Sequence, residues 1–420
     1  MIVKLLVFTY APAGLGHLRV TDALVDNRPK EYRYIMLGSY DRFITKFHRF
    51  FSVNPIAKWI FTVSQYGLME DLVTAIYRGI LVMTSGQIYK QLTNIVNENR
   101  DSEEIWVIAT HFGMAHQIGA VKDRIINETG KVVRLMVQVT DDTSQHIWCI
   151  RGTDLTFVPS MHTKIELEKY SKKHKMNIDF EVVPYPLCPT LTDQLKDVAL
   201  RRKSYSSNKK INLAIPVSGA SVGLSYLTKL ISGIAKKSNK FVFWVLVKKS
   251  MYTDMFLNSI SKLPNVKLIA GRNDNEMISL YELLYQDNLI NLEITKPSEQ
   301  AFKAILPPSL VGGSILLFTS PVGRQEYENI NFLVRQGLMP RSNYDGVEEN
   351  NSSLNNYPRA IRLSKNPEIA ANFIVWALET GLFAKMSSEE FRFTELASSL
   401  GEVGPDGAKK FWDIIQKKFD

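Results

Sequence analysis

Apolar and polar positions in the first half of the chain alternate between two periods. Short apolar runs at 2–10, 33–37, 104–109, 132–139 and 154–158 predict strands, and their apolar character on both faces suits a buried parallel sheet. Helical spacing fills the intervals at 18–26, 43–60, 68–97, 113–128 and 161–173. Strand, crossover helix and strand repeated in this way is the sequence form of an open α/β sheet. The pattern pauses at 183–190, where Pro184, Pro186 and Pro189 break regular structure, and through the basic, Ser-rich 201–210. A second set then predicts strands at 211–216, 240–247, 266–270, 291–294 and 314–318. Its helices are expected at 223–235, 252–263, 275–285, 299–305, 327–336 and 367–379. The polar, Asn-rich 341–358 reads as a loop. Apolar spacing at Phe391, Phe393, Leu396, Phe411, Trp412 and Ile415 predicts short helices in the tail. The expected organisation is two α/β domains, 1–200 and 201–380, with a helical tail over 381–420 returning onto the first.

Composition fits this picture. The chain has 420 residues, 45% hydrophobic and 22% charged, enough for about two domains of ordinary size. Two cysteines, Cys149 and Cys188, cannot make a disulfide framework and point to a reducing, cytoplasmic setting. No apolar run approaches the ~18 residues of a membrane span, and the first ten residues lack the long apolar core of a signal peptide. The net charge is +9, and 201–250 holds eleven basic residues and no acidic one. Such a stretch attracts phosphates or acidic headgroups, though a linker with solvated helix faces explains it equally well. No nucleic-acid module accompanies it, so nucleic acid is not expected as a partner.

The candidate chemistry sits where predicted strands end. The first strand runs into Ala11-Pro-Ala-Gly14-Leu-Gly16-His17-Leu-Arg19, a glycine turn that lets backbone approach a ligand beside a helix N-terminus. A dinucleotide fingerprint needs a third glycine at Arg19 and an acid after the second strand, and both are missing; no GxxxxGK[ST] occurs either. Of seven histidines, His17, His111, His116, His146 and His162 fall at strand ends or helix starts of the first domain. His162 reads as a capping or surface residue. No His-x3-His or Cys-x2-Cys spacing supports a metal. Asp141 and Asp142 follow the fourth strand, either as caps or as carboxylates that orient an imidazole. In the second domain Ser218, Gly219, Ser221 and Gly223 repeat the glycine turn and suit a diphosphate. The run Ile294-Thr-Lys296-Pro-Ser298-Glu299 leads into a helix start that favours anions, with Ser298 as its cap. Finally Arg324-Gln325-Glu326-x-x-Asn329 offers side chains for sugar hydroxyls, against the plainer reading of a polar helix start.

At these residues the sequence resembles the GT-B glycosyltransferases of the monogalactosyldiacylglycerol synthase and peptidoglycan N-acetylglucosaminyltransferase type, over roughly 3–337. Gly14-Leu-Gly16-His17 is similar to that family's Gly-Gly-Gly-His turn. Ala109-Thr-His111, then Thr140-Asp141, His146 and Trp148, resembles the galactolipid synthases' Ser-x-His and Thr-Asp-x-x-x-His-x-x-Trp run. Ile294-Thr-Lys296-Pro297 and Gln325-Glu326-x-x-Asn329 are similar to the donor-side motifs. The family glycines after Thr-Lys are replaced by Pro297-Ser298-Glu299-Gln300, and its ribose-holding acid falls near Lys303, with Glu299 one turn earlier as a substitute.

The resemblance implies two Rossmann-like domains facing across a cleft and transfer of a sugar from a nucleotide diphosphate donor, a UDP-sugar, to a hydroxyl acceptor, with no metal and no cofactor. His17 is then the base, with Asp141 or His146 as orienter or substitute, and His111 and Trp148 on the acceptor side. Gly14, Gly16, Ser218, Gly219, Lys296, Ser298, Glu299, Arg324, Gln325, Glu326 and Asn329 serve the donor. A basic aromatic stretch at 42–66 makes a lipid acceptor and peripheral attachment to the inner membrane face an expectation, beside the alternative of a core helix pair broken at Pro55. Another nucleotide-sugar enzyme, an epimerase or hydrolase, and a non-catalytic relative are the competing readings.

Overall fold

The computed structural model describes residues 4–10, 15–38, 65, 67–206, 209–217, 221–341, 358–388 and 399–419. The basic aromatic stretch at 42–66, apart from Gln65, lies outside the described residues, as do Gly14, Ser218 and Gly219. The chain forms two compact units, Met1–Cys188 with Ser399–Asp420, and Pro189–Ser398.

The first unit contains β1 (Lys4–Tyr10), α1 (Leu15–Asp26), β2 (Arg33–Gly38), α2 (Gly67–Met83), α3 (Gly86–Glu98), β3 (Glu104–Ala109), α4 (Phe112–Thr129), β4 (Val132–Gln138), a 3-10 turn (His146–Trp148), β5 (Leu155–Val158), α5 (Met161–Lys173) and β6 (Phe180–Val182). The strands form one parallel sheet in the order β2-β1-β3-β4-β5-β6. Both faces of its central strands are buried, which their continuous apolar runs require. One face packs against α3 and α4 through Val7, Val107, Leu135, Leu92 and Ile118. On the other, Phe8 and Phe157 meet Trp412 and Phe411 of the C-terminal helix Gly407–Phe419 at ring centroids of 6.1 and 4.3 Å. The Trp412 indole also donates to Leu24 O at 2.8 Å. The single helix expected over 68–97 is two, because Thr84 and Ser85 bond back to the carbonyls of Ile80 and Val82 and end the first.

The second unit contains α6 (Pro189–Thr192), α7 (Val198–Ser206), β7 (Ile211–Pro216), α8 (Leu224–Lys237), β8 (Phe241–Lys248), α9 (Asp254–Ile260), β9 (Val266–Gly271), α10 (Asp274–Asp287), β10 (Leu292–Thr295), a 3-10 helix (Glu299–Ile305), β11 (Ile315–Phe318), α11 (Arg324–Arg335), β12 (Ala360–Arg362), α12 (Pro367–Glu379) and α13 (Leu382–Met386). Its parallel sheet has the order β12-β11-β10-β7-β8-β9. Leu227, Ile231, Ala371 and Ile374 join α8 and α12 over one face. The start of the stretch read as a break at 201–210 is helical instead. Arg201, Ser204 and Tyr205 of α7 share one buried face, and the Arg201 guanidinium donates to the carbonyls of Pro308, Leu310 and Val311, each at 2.7 Å.

Candidate functional site

In each sheet the strand order reverses at one place: between β1 and β3 in the first, between β7 and β10 in the second. Neighbouring strands whose connections leave to opposite sides open a crevice beyond their carboxyl ends, where ligands bind in open α/β sheets. The histidine and lysine motifs singled out from the sequence follow these strands.

In the first unit Gly16 and His17 lie in the first turn of α1, after β1. The His17 Nδ1 is 2.7 Å from Thr110 O, just beyond β3, and 3.1 Å from Thr140 Oγ1, beyond β4. A carbonyl oxygen can only accept, so Nδ1 carries the proton and the neutral ring keeps its lone pair on Nε2. Thr110 Oγ1 in turn holds Thr21 Oγ1 at 2.7 Å and His17 O at 3.1 Å. His111 lies edge-on to His17, with ring centroids 4.9 Å apart. Its Nδ1 accepts from Gly113 N at 3.1 Å and caps α4, so His111 is the opposite tautomer. Phe112 stacks on His111, and buried Trp148 meets the edge of Phe112 at 5.6 Å.

His146 has different surroundings. Its Nδ1 is 2.7 Å from Asp71 Oδ1, its backbone N–H donates to Glu70 Oε1 at 2.9 Å, and its ring stacks on Tyr170 at 3.8 Å. Arg78 donates to His146 O and, at 3.1 Å, to Tyr170 OH. Glu70, Asp71 and Arg78 all belong to α2 and were not among the expected residues. The seven-residue step from Asp71 to Arg78 in an otherwise apolar helix was the available signal. Asp142 is buried and accepts from the Ser160 and Thr163 hydroxyls at the start of α5, a helix whose cap is Ser160, whereas Asp141 beside it is half-buried. His116 is a core group: burial pushes its imidazole down to about 4, with Nε2 2.8 Å from Ile147 O. Burial also drives the Cys149 thiol up to about 12, and His162 is exposed.

In the second unit β7 leads toward Ser221, whose φ is +53°, and Gly223, whose φ of +81° starts α8. Beyond β10 come Lys296, Ser298 and Glu299, all half-buried. The Ser298 hydroxyl caps no amide, against the sequence expectation. Lys296 Nζ is 3.7 Å from Glu326 Oε1, and Glu326 also accepts from Val322 N at 2.6 Å. Arg324 is buried against Glu328 at 2.9 Å, and Gln325 is half-buried. Asn329 is fully buried and donates to Pro297 O at 3.1 Å, tying α11 to the loop after β10.

Lys303 turns into the core. Its ammonium donates to Glu293 Oε2 at 2.7 Å, Tyr281 OH at 2.7 Å and Tyr285 OH at 2.5 Å. Among the described residues no group of three or more His, Cys, Asp or Glu is placed to hold a metal ion.

No protein-family model matches this sequence, and no curated protein does. Solved structures do match. A putative UDP-N-acetylglucosamine 2-epimerase from Listeria monocytogenes aligns at TM-score 0.54 and 9% identity, over 100% of this chain and 97% of its own. Anabaena HepE in complex with UDP and glucose aligns at 0.51 and 11%, over 99% of both chains. Arabidopsis thaliana UGT89C1 complexed with UDP-L-rhamnose aligns at 0.51 and 11%, over 99% and 98%. The fold is GT-B. Within this GT-B chain the two sheets are the two Rossmann-like halves expected from the sequence, and each carries candidate residues at its own point of reversal.

Proposed function

We propose that this GT-B protein is a nucleotide-sugar enzyme, and specifically a glycosyltransferase that moves a sugar from a UDP-type donor to a hydroxyl acceptor. The observation that carries the reading is His17, held at a sheet's point of reversal with its tautomer set by Thr110 O so that the basic lone pair is on Nε2. In the reaction the acceptor O–H proton passes to His17 Nε2 and the acceptor oxygen bonds the anomeric carbon. The bond from that carbon to the diphosphate breaks, releasing the nucleoside diphosphate. A base placed this way contributes about 10²–10⁴-fold. The Asp71–His146 pair is the substitute base, since Asp71 fixes the same tautomer there. On the donor side the amides at the start of α8 supply positive potential for the leaving diphosphate, and Lys296 and Arg324 add to it once a bound diphosphate competes with their partners Glu326 and Glu328. Gln325 and Glu326 bind sugar hydroxyls. A lipid hydroxyl is the acceptor class we favour.

The epimerase likeness supports a second reading, in which the same donor is epimerised or hydrolysed without an acceptor. Thermal unfolding against a panel of nucleotides and nucleotide sugars tests the shared claim. Ligand at 100 times its Kd adds about 2.7 kcal/mol of stability. No shift with any member overturns donor binding. Product analysis with and without acceptor then divides the readings: transfer requires the acceptor, whereas a new free sugar or epimer in its absence overturns the transferase. Binding without turnover assigns a non-catalytic relative.

A further inference from the structure

Two contacts of the tail, ahead of or at the start of its apolar helix, fall on loops at the carboxyl edge of the first sheet. The Glu402 side chain is buried, and its Oε1 accepts from Met161 N, the first amide of α5, at 2.8 Å. Gly407 lies so close to the loop after β6 that a Cβ there would stand 2.1 Å from Pro184 O. Covering the sheet does not call for Glu402, because Phe411, Trp412 and Ile415 do that. Nor does α5 lack a cap, since Ser160 Oγ accepts from Thr163 N at 3.2 Å. A carboxylate taken out of water is costly to keep, so what its bond holds in place is the question.

Each contact lies one residue from a side chain that reaches back to the loop after β4. Ser160, beside Met161, donates to Asp142 Oδ1, and Thr163 donates to the same oxygen at 2.8 Å. Tyr185, beside Pro184, is buried and donates to Thr140 O at 3.0 Å. Thr140, Ser160 and Pro184 each follow the last residue of their strand, β4, β5 and β6, by the same short step. The β4 loop is therefore gripped from the β5 side at Asp142 and from the β6 side at Thr140. The Thr140 hydroxyl in turn stands 3.1 Å from His17 Nδ1, beyond β1. A lateral series of bonds along one sheet edge thus begins at the tail and ends on the imidazole, with every member in the first unit. We propose that Glu402 is a positioning residue for His17. Through the start of α5 it holds the β4 loop where Thr140 meets the ring. A displacement of about 1 Å at a reacting group can cost about 10²-fold in rate, so a brace at this remove bears on catalysis. The inference rests on the reading of His17 as the base, and it assigns part of the placement of that base to a residue nearly four hundred positions later.

Two readouts on the full chain, without donor or acceptor, test it. The first is the nuclear magnetic resonance signal of the His17 ring in histidine-labelled protein, assigned by its loss in His17→Gln. Thr140→Val removes the hydroxyl alone and marks where that signal falls when the contact is gone. Glu402→Ala should move the His17 signal at least about a third of the way along that line, as a population shift requires, with the His162 signal unmoved. Glu402→Gln keeps an acceptor oxygen at the same reach and should return the signal to its wild-type place. The second readout is hydrogen exchange by mass spectrometry. In Glu402→Ala, exchange over 139–146 should quicken at least about fivefold while β3 keeps its wild-type rate. A His17 signal left in place by Glu402→Ala overturns the proposal. So does faster exchange confined to the start of α5, since Glu402 then serves its helix alone. A Gln variant displaced as far as the Ala variant also overturns it, because charge rather than the contact would then be responsible. If Glu402→Ala unfolds, Glu402→Asp, which withdraws the carboxylate by one methylene, takes its place with the same expectations and the same reversals. Neither readout needs turnover, so failure of the transferase reading leaves this test standing, and failure here leaves donor binding untouched.

Discussion

Replacing Lys303 by Met removes one member of a fully buried network and leaves the Glu293 carboxylate behind. The two side chains are 1% and 0% exposed, so water does not solvate the remaining charge. Breaking a buried ion pair from one side costs about 3–5 kcal/mol. Here Tyr281 and Tyr285 still donate to Glu293 Oε2, at 2.8 and 2.5 Å, which places the loss near the lower end, about 3 kcal/mol. For a unit of this size each kcal/mol moves the midpoint by about 2–4 °C, so a fall of roughly 6–12 °C is expected. The control is Lys303→Met/Glu293→Gln, which removes both charges and should recover to within about 1 kcal/mol of wild type. Thermal and urea unfolding of the four proteins of the cycle gives the coupling directly. A single variant as stable as wild type, or a double variant no better than the single, would refute the claim that Lys303 serves the core rather than a ligand.

Three further outcomes follow from the geometry. His17→Ala should lower turnover by about 10²–10⁴ with donor binding retained, measured as kcat at saturating donor. Because His116 is held near 4 by burial, against 6.5 in an unfolded chain, the unfolded state takes up the extra proton as pH falls. The His116 contribution is therefore complete at neutral pH and is lost as pH drops from about 6.5 toward 4. It amounts to about 2 kcal/mol between pH 7 and 5, and His116→Gln should flatten that part of the stability profile. Gly119→Ala places a methyl 2.2 Å from Arg151 O, so it should destabilise the first unit by about 1–3 kcal/mol in urea unfolding.

The sheets were legible because buried parallel strands are continuous apolar runs, and those runs match observed strands within a residue or two. The three-residue edge strands β6 and β12 were not, being too short to carry a period. Helix α7 was hidden by its basic, Ser-rich sequence. Arg201 is buried there because distant carbonyls solvate it, and pairings over a hundred residues leave no local trace. The same holds at the candidate site. The position of His17 could be read from a glycine turn, but its tautomer depends on a carbonyl 93 residues away. Helix α2 was legible as a helix, yet which face turned inward was not, since apolar periodicity alone predicts the opposite orientation. Lys303 likewise reads as a ligand-side position until Glu293, inside a strand, is found to be its partner.

The helix at Gly407–Phe419 fills one face of the first sheet, with Phe411, Trp412 and Ile415 fully buried there. A ribosome therefore delivers the last part of the first unit only after the whole of the second has been made. The second unit is continuous in sequence and can close as it emerges. The first must wait, with the apolar face under Phe8 and Phe157 uncovered for more than two hundred residues of synthesis. That interval is when the nascent chain is most dependent on chaperones. A truncation between Ser399 and Phe411 would spare the second unit and leave the histidine-bearing first unit, most of which was made earliest, as the part that fails to fold.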